Sequence, residues 1–290
     1  MIYLAKTIKF GPAGSSESFY EQGNTSSLQM PEWLNKMGLN AFEYQCGRGV
    51  KISAESAVRL GELAIHNGIT LSIHSPYFIN ISTPEPEKYE KSMGYIMQTL
   101  EAAKNMRAER IVVHMGSFKG STRPEAVERS KVFVRDLLNR QKDMGFDGVT
   151  ICIETMGKIN QMGTLEETLD VCSIDDSLLP TIDFGHLNAR TNGGMSSEAD
   201  FSAALDMMEN VLGSDRTKVF HSHFSKIEYT QKGGEVKHLT FEDTLYGPDF
   251  EPLANQLVKR GLTPVIICES AGTQAEDALR MKQIYESIKK

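Results

Sequence analysis

The sequence predicts a single (β/α)8 barrel with parallel strands, formed by residues 1–290 as one domain. Three observations predict it. Short apolar or β-branched runs alternate with segments of helical period eight times over. Parallel strands need a crossover helix between them, so strict alternation selects the α/β class. The 290 residues suit one barrel, and no linker or low-complexity stretch divides them. The competing open, doubly wound sheet usually carries a GxGxxG turn after its first strand. "FGPAGSSES" contains glycines without that spacing.

The elements follow in order. "YLAKTIKF" (3–10) is the first expected strand, and a weaker helix follows over about 27–37. "NAFEYQC" (40–46) is the second strand, with a helix over 53–67 that Ser53 is placed to cap. "TLSIHS" (70–75) is the third. The helix after it, 87–106, has the clearest period: Tyr89, Met93, Ile96, Met97, Leu100 and Ala103 form one apolar stripe. "RIVVHMG" (110–116) precedes a helix over 123–143. "TICIET" (150–155) precedes one over 164–174, where Thr164 and Glu167 have capping-box spacing. "LPTIDFG" (179–185) leads to 198–212, "KVFHSHF" (218–224) to 249–260, and "PVIICES" (264–270) to 273–288.

Composition narrows the function. The formal net charge is −7 and the pI about 5.6. That argues against a broad basic surface for non-specific nucleic-acid binding. Clustered acids also fit a site that holds divalent cations. Cys46, Cys152, Cys172 and Cys268 stand at wide spacings with no CxxC, so neither a disulfide framework nor a zinc finger is expected. The N-terminal stretch lacks a signal-peptide pattern, and no apolar run reaches membrane-spanning length. The expected location is the cytoplasm, with no membrane partner; nothing in the sequence points to a protein partner.

In a barrel, chemistry sits at the C-terminal ends of the strands. There the third strand ends in His74, the fourth in His114 and the fifth in Glu154. The sixth ends in Asp183 with His186 just beyond, the seventh carries His221 and His223, and the eighth ends in Glu269. Six consecutive strands therefore deliver His, Asp or Glu to one rim. Of the seven histidines only His66 falls outside these strand ends and the loop after strand seven, and it reads as a surface helix residue. Unpaired carboxylates buried in a barrel mouth would be costly, and Lys and Arg are scarce at these positions. Metal cations are the natural counter-charge. Mixed imidazole and carboxylate ligation without thiolate suits Zn2+, with Mn2+ also compatible. His221 and His223 share one face of their strand; His221, deeper in the strand, is the expected ligand.

These residues resemble the endonuclease IV family, within the xylose-isomerase-like barrels. The resemblance runs through "HSPYFINISTPEPEKYEKS" (74–92), "VVHMGS" (112–117), "IET" (153–155), "IDFGH" (182–186), "HSHFSK" (221–226) and "ICES" (267–270). It implies a cluster of three metals: His74 and His114 on one, Asp183, His221 and Glu269 on a second, Glu154 bridging the two, and His186 with His238 on a third. It implies cleavage of DNA on the 5′ side of an abasic sugar by a metal-held hydroxide, with the nucleotide flipped out. Glu154 and Glu269 would then be the catalytic carboxylates, Tyr77 an aromatic wedge and Arg48 a residue reaching into the DNA gap. Two metals close together can activate water and clamp both oxygens of a phosphodiester. Two departures bear on this. Val236 stands where the family has an Asp, and His223 and Phe224 replace its Asn-Asp pair. The expectation is two tightly held Zn2+ ions and a third weak or absent. A metal-dependent sugar isomerase or epimerase of the same superfamily, acting on a small sugar, is the alternative; a non-catalytic metal-binding barrel is a third reading.

Overall fold

The computed structural model describes residues 7–290. Its elements, in chain order, are β1 (Lys9–Pro12), α1 (Glu17–Glu21), α2 (Met30–Met37), β2 (Ala41–Gln45), α3 (Ala54–His66), β3 (Thr70–His74), α4 (Pro86–Met106), β4 (Arg110–His114), α5 (Arg123–Asp143), β5 (Thr150–Glu154), α6 (Leu165–Cys172), β6 (Leu179–Asp183), α7 (Phe184–Arg190), α8 (Glu198–Leu212), α9 (Ser214–Lys218), β7 (His221–Phe224), β8 (Lys226–Thr230), β9 (Gly234–Leu239), α10 (Glu251–Arg260), β10 (Val265–Cys268) and α11 (Gln274–Lys289).

Eight strands form one sheet in the order β1-β10-β7-β6-β5-β4-β3-β2, with every pairing parallel. Its two edges meet. Asn40 N donates to Phe10 O (3.1 Å), Phe10 N donates to Asn40 Oδ1 (2.7 Å), and Gly14 N donates to Glu43 O (2.9 Å). Gly11 permits this closure, because a Cβ there would lie 1.9 Å from Ala41 O. The barrel predicted from alternation is therefore the observed fold.

Within each strand, parity sorts the residues. Phe42, Leu71, Ile73, Ile111, Val113, Ile151, Ile153, Ile182 and Ile266 pack outward into the main core under the helices. The interleaved positions face the barrel axis. There Val112, Cys152, Leu179 and Val219 form one small apolar plug, and Ala13, Ala41, Val265 and Ile267 another. Polar residues share that inward parity: Glu43, Ser72, His74, Arg110, Glu154, Thr181, Asp183, His221 and His223 are all buried. The apolar stripe on α4 packs into this core, with Met93, Ile96, Leu100 and Ala103 buried.

Ser53 caps α3 through Ser56 N, and Thr164 and Glu167 form the expected capping box on α6. His66 is exposed on α3. The first expected strand, 3–10, lies partly in residues outside those described, and the observed strand runs two residues further. The weaker helix appears as a 3-10 turn, Ser27–Gln29, running into α2. The hairpin β8–β9 and the short helices α1, α7 and α9 were not expected; each is too short to show a period. All four cysteines are free and buried. Among the described residues no helix is long and apolar enough to cross a membrane.

Candidate metal centre

The C-terminal mouth of the barrel holds a cavity of about 300 Å³, lined among others by His74, His114, Glu154, His186, His238 and Glu269. Parity and strand length explain the convergence. His74, His114, Glu154 and Asp183 are each the last residue of their strand, at an inward position. Among the described residues five sets of ligand-type side chains lie close together: a deeper one of Glu43, His221 and His223, one of His74, His223 and Glu269 that links its neighbours, and three more. In the first of these three, Glu154 Oε2 lies 3.2 Å from His74 Nε2 and 2.9 Å from His114 Nε2. In the second, Glu154 Oε1 lies 3.1 Å from His223 Nδ1, which is 3.5 Å from Glu269 Oε2, with Asp183 alongside. In the third, His186 Nε2 is 3.4 Å from Glu235 Oε2, and the His186 and His238 rings are 5.6 Å apart. Glu154 thus turns one oxygen to each of the first two groups, the geometry a bridging carboxylate requires.

"TIDFGH" acts as a folding unit here. Asp183 caps α7 by accepting from His186 N at Oδ1 (2.7 Å). That leaves Oδ2 buried without a hydrogen-bond donor. Gly185 lets the turn pass the seventh strand, since a Cβ would lie 2.5 Å from Ser225 O. His186 is fixed through Nδ1 to Thr155 O (2.9 Å), so Nε2 faces the cavity. His74 and His114 are fixed the same way, through Ser75 O (2.7 Å) and Tyr77 O (3.1 Å). His238 Nδ1 pairs with Ser225 Oγ (2.8 Å). Such contacts set the tautomer and aim the other nitrogen at a metal.

The electrostatics describe a cluster balanced by protons. Burial disfavours charge on His74, yet its hydrogen bond to Glu154 and the carboxylates of Glu154, Glu43 and Glu269 raise its pKa to about 9. His186 is likewise opposed by burial and raised to about 9 by Asp183, Glu235, Glu154 and Glu269. His223, against burial, is held well above its free value by Glu269, Glu43 and Glu154. Glu154 is held well below the carboxylate range: burial opposes this, and His114 and His223 prevail. Asp183 is pushed up by burial and by Glu269 and Glu154. A buried carboxylate oxygen that meets His186 Nδ1 at 3.1 Å without a hydrogen bond, imidazole nitrogens fixed toward shared acids, and no thiolate among them fit divalent cations with nitrogen and oxygen preference.

At two places the arrangement differs from the expected ligand sets. The geometry puts His223, not His221, beside Glu154, Asp183 and Glu269. His221 lies one inward layer lower, level with Val265 and Thr181, while His223 is level with Ile267 and Asp183. There His221 Nε2 contacts Glu43 Oε2 at 2.9 Å, and burial lowers its pKa to about 4 despite that carboxylate. The second place is Val236, which offers no ligand, as expected, while the neighbouring Glu235 brings a carboxylate into the third group. In the β8–β9 hairpin Glu228 pairs with Lys237 and Tyr229 with Glu235, so Val236 is the extra residue of a bulge. A bulge shifts the side-chain alternation by one. Glu235 therefore shares a face with His238, and Val236 stands half exposed. Gly157 makes room, since a Cβ there would come within 2.7 Å of Glu235 Cβ.

Two other residues sit at the mouth. Tyr77 is exposed beside Phe78 and lines the cavity. Arg48 is exposed on the loop after β2, whose Gly47 lines the same cavity. Sequence reading missed Glu43. Its signal was an acid at inward parity in an otherwise apolar strand.

Comparison with known proteins shows the family of the chain. An uncharacterized protein of Methanocaldococcus jannaschii is 31% identical over 273 residues, covering 94% of this chain and 95% of its own. A probable endonuclease 4 of Shouchella clausii is 28% identical over 172 residues. That match spans 57% of this chain and 56% of the relative, little more than half of each. Among solved structures, a D-tagatose 3-epimerase-like protein superposes with a TM-score of 0.71 at 18% identity, covering 97% of both chains. Residues 31–289 match the xylose isomerase-like TIM barrel family. With that match, the closed parallel sheet and the ligand ring at its C-terminal mouth, the chain belongs to the xylose isomerase-like TIM barrel family.

Proposed function

We propose that this protein is a metal-dependent phosphodiester hydrolase of the endonuclease IV type, cleaving DNA on the 5′ side of abasic sites. The observation that carries this reading is the three ligand groups around one cavity, two of which share Glu154. A proton-transfer reaction on a sugar needs fewer metals. Zn2+ held by these groups would supply Lewis-acid activation of water and neutralise charge on the phosphate. His74, His114 and Glu154 would hold the first ion, Glu154, Asp183, His223 and Glu269 the second, and His186, Glu235 and His238 the third. Glu269, partly open to the cavity, would orient the attacking water, and Glu154, with one oxygen toward each of the first two groups, would hold both ions.

The rim supports a phosphate-bearing substrate. Arg48, Lys51, Lys119 and Lys158 are exposed on the loops after β2, β4 and β5, and make no ion pair among the described residues. They supply local positive charge on an acidic chain. Tyr77, exposed at the rim, would fill the gap that a flipped nucleotide leaves in the stack. The endonuclease 4 relative supports the same reading over its matched half. Sugar epimerisation is the second reading, favoured by the whole-chain likeness to the D-tagatose 3-epimerase-like fold. Glu154 and Glu269 facing one cavity could then exchange a proton with a ketose. Incubation of Zn2+-loaded protein with a duplex carrying one abasic site, and separately with free ketoses, tests the proposal. Cleavage 5′ to the abasic site supports it; turnover of a ketose without cleavage sinks it.

A further inference from the structure

The histidines of the mouth are not oriented alike. His74, His114 and His186 each direct Nδ1 to a main-chain carbonyl and turn Nε2 to the cavity. His223 is inverted. Its Nδ1 faces Glu154 and Glu269, and its Nε2 lies 2.9 Å from Glu43 Oε1. Glu43 is fully buried one layer below the ligand groups and is itself pinned. Ser72 Oγ donates to Oε2 (2.8 Å), His221 Nε2 meets Oε2 (2.9 Å), and Gln45 Nε2 donates to Oε1 (3.2 Å). A carboxylate buried this deeply is costly unless several donors face it.

The trio Glu43, His221 and His223 is wholly buried and does not line the cavity. Glu43 Oε2 is hydrogen-bonded to His221 Nε2, and Oε1 faces His223 Nε2 at 2.9 Å as a charge contact off hydrogen-bond alignment. We propose that Glu43 is a positioning residue: it holds the proton of His223 on Nε2 and thereby presents Nδ1 to the second ligand group. Ser72, Gln45 and His221 are the scaffold that keeps Glu43 in place. A carboxylate behind a ligating imidazole fixes its tautomer and raises its basicity, an effect commonly worth 10–100-fold in metal affinity.

This inference rests on the metal-centre reading, and the experiment separates the two. Protein with ring-15N histidine, having only seven His, is loaded with Zn2+ and observed by long-range 1H–15N correlation, beside Glu43→Gln and the milder Ser72→Ala. The unmodified protein should show His223 bound through Nδ1 with its proton on Nε2, and His74 and His114 bound through Nε2. Chelator competition should show the second ion 10–100-fold weaker in Glu43→Gln, weaker to a smaller degree in Ser72→Ala, and the His74–His114 ion unchanged. If Glu43→Gln does not fold, Ser72→Ala carries the test. His223 bound through Nε2, or equal weakening of all ions, overturns the inference. Unmodified protein that binds no Zn2+ overturns the underlying metal-centre reading instead.

Discussion

Each ligand group contains one imidazole that its acids hold protonated, so metal loading should expel protons. At pH 7.5, His74 and His186, with pKa values of about 9, are mostly protonated. His223 is held well above its free value and is also charged. A ligating nitrogen must lose its proton. Loading all three groups at pH 7.5 should therefore release about three protons, one each from His74, His223 and His186. Filling only the first two should release about two. Metal affinity should fall about tenfold per pH unit below pH 9 for the His74 and His186 groups. Calorimetric Zn2+ titrations of stripped protein, in buffers of different ionisation enthalpy, count these protons. Release should shrink between about pH 8 and 10 as His74 and His186 titrate. Near-zero release at pH 7.5, or release unchanged up to pH 10, would refute the reasoning. The same shifts set metal-free stability. The raised pKa values of His74 and His186 contribute stability that is full below about pH 6.5 and is lost as pH rises through about 9. His221, depressed to about 4, contributes stability above pH 6.5 that is lost as pH falls through 4.

Glu154→Gln should lower turnover at least about a thousandfold while metal-free protein keeps its circular dichroism, because an amide bridges two cations poorly; near wild-type turnover would remove the bridging role. Glu235→Gln should cost one metal per chain by atomic absorption, whereas Val236→Asp should leave the count unchanged, since Val236 sits on the exposed side of the bulge. A rise in metal count with Val236→Asp would mean that the hairpin register differs from the one described. Tyr77→Ala should weaken binding to an abasic duplex about tenfold or more, from lost stacking, and leave hydrolysis of a small phosphodiester within about twofold; equal losses would make Tyr77 a support for the site.

The barrel was legible because its strand runs and helical stripes are local patterns. Six strands ending in His, Asp or Glu exposed the site for the same reason. What escaped depends on neighbours. Period 2 puts both His221 and His223 inside the barrel, but only the pairing of β7 with β6 and β10 says which lies level with Asp183. Glu43 belongs to the site through residues 29 to 180 positions away in sequence: Ser72, His221 and His223. On an ideal strand Glu235 and His238 would face opposite sides; the bulge against Glu228 and Tyr229 puts them on one face, and no single strand encodes a bulge. Glycines carried part of the message. Gly157 and Gly185 stand where backbone or side chains pack too closely for a Cβ.

The most direct test of the central claim follows activity and metal content together. Stripped protein is titrated with Zn2+ in steps, and each sample is assayed for bound metal and for cleavage of an abasic duplex. The account predicts little cleavage at one ion per chain and a steep rise as the Glu154-linked pair fills, with further gain as the Glu235 group fills. Full metal loading without cleavage, next to ketose epimerisation that saturates at one ion, would contradict it.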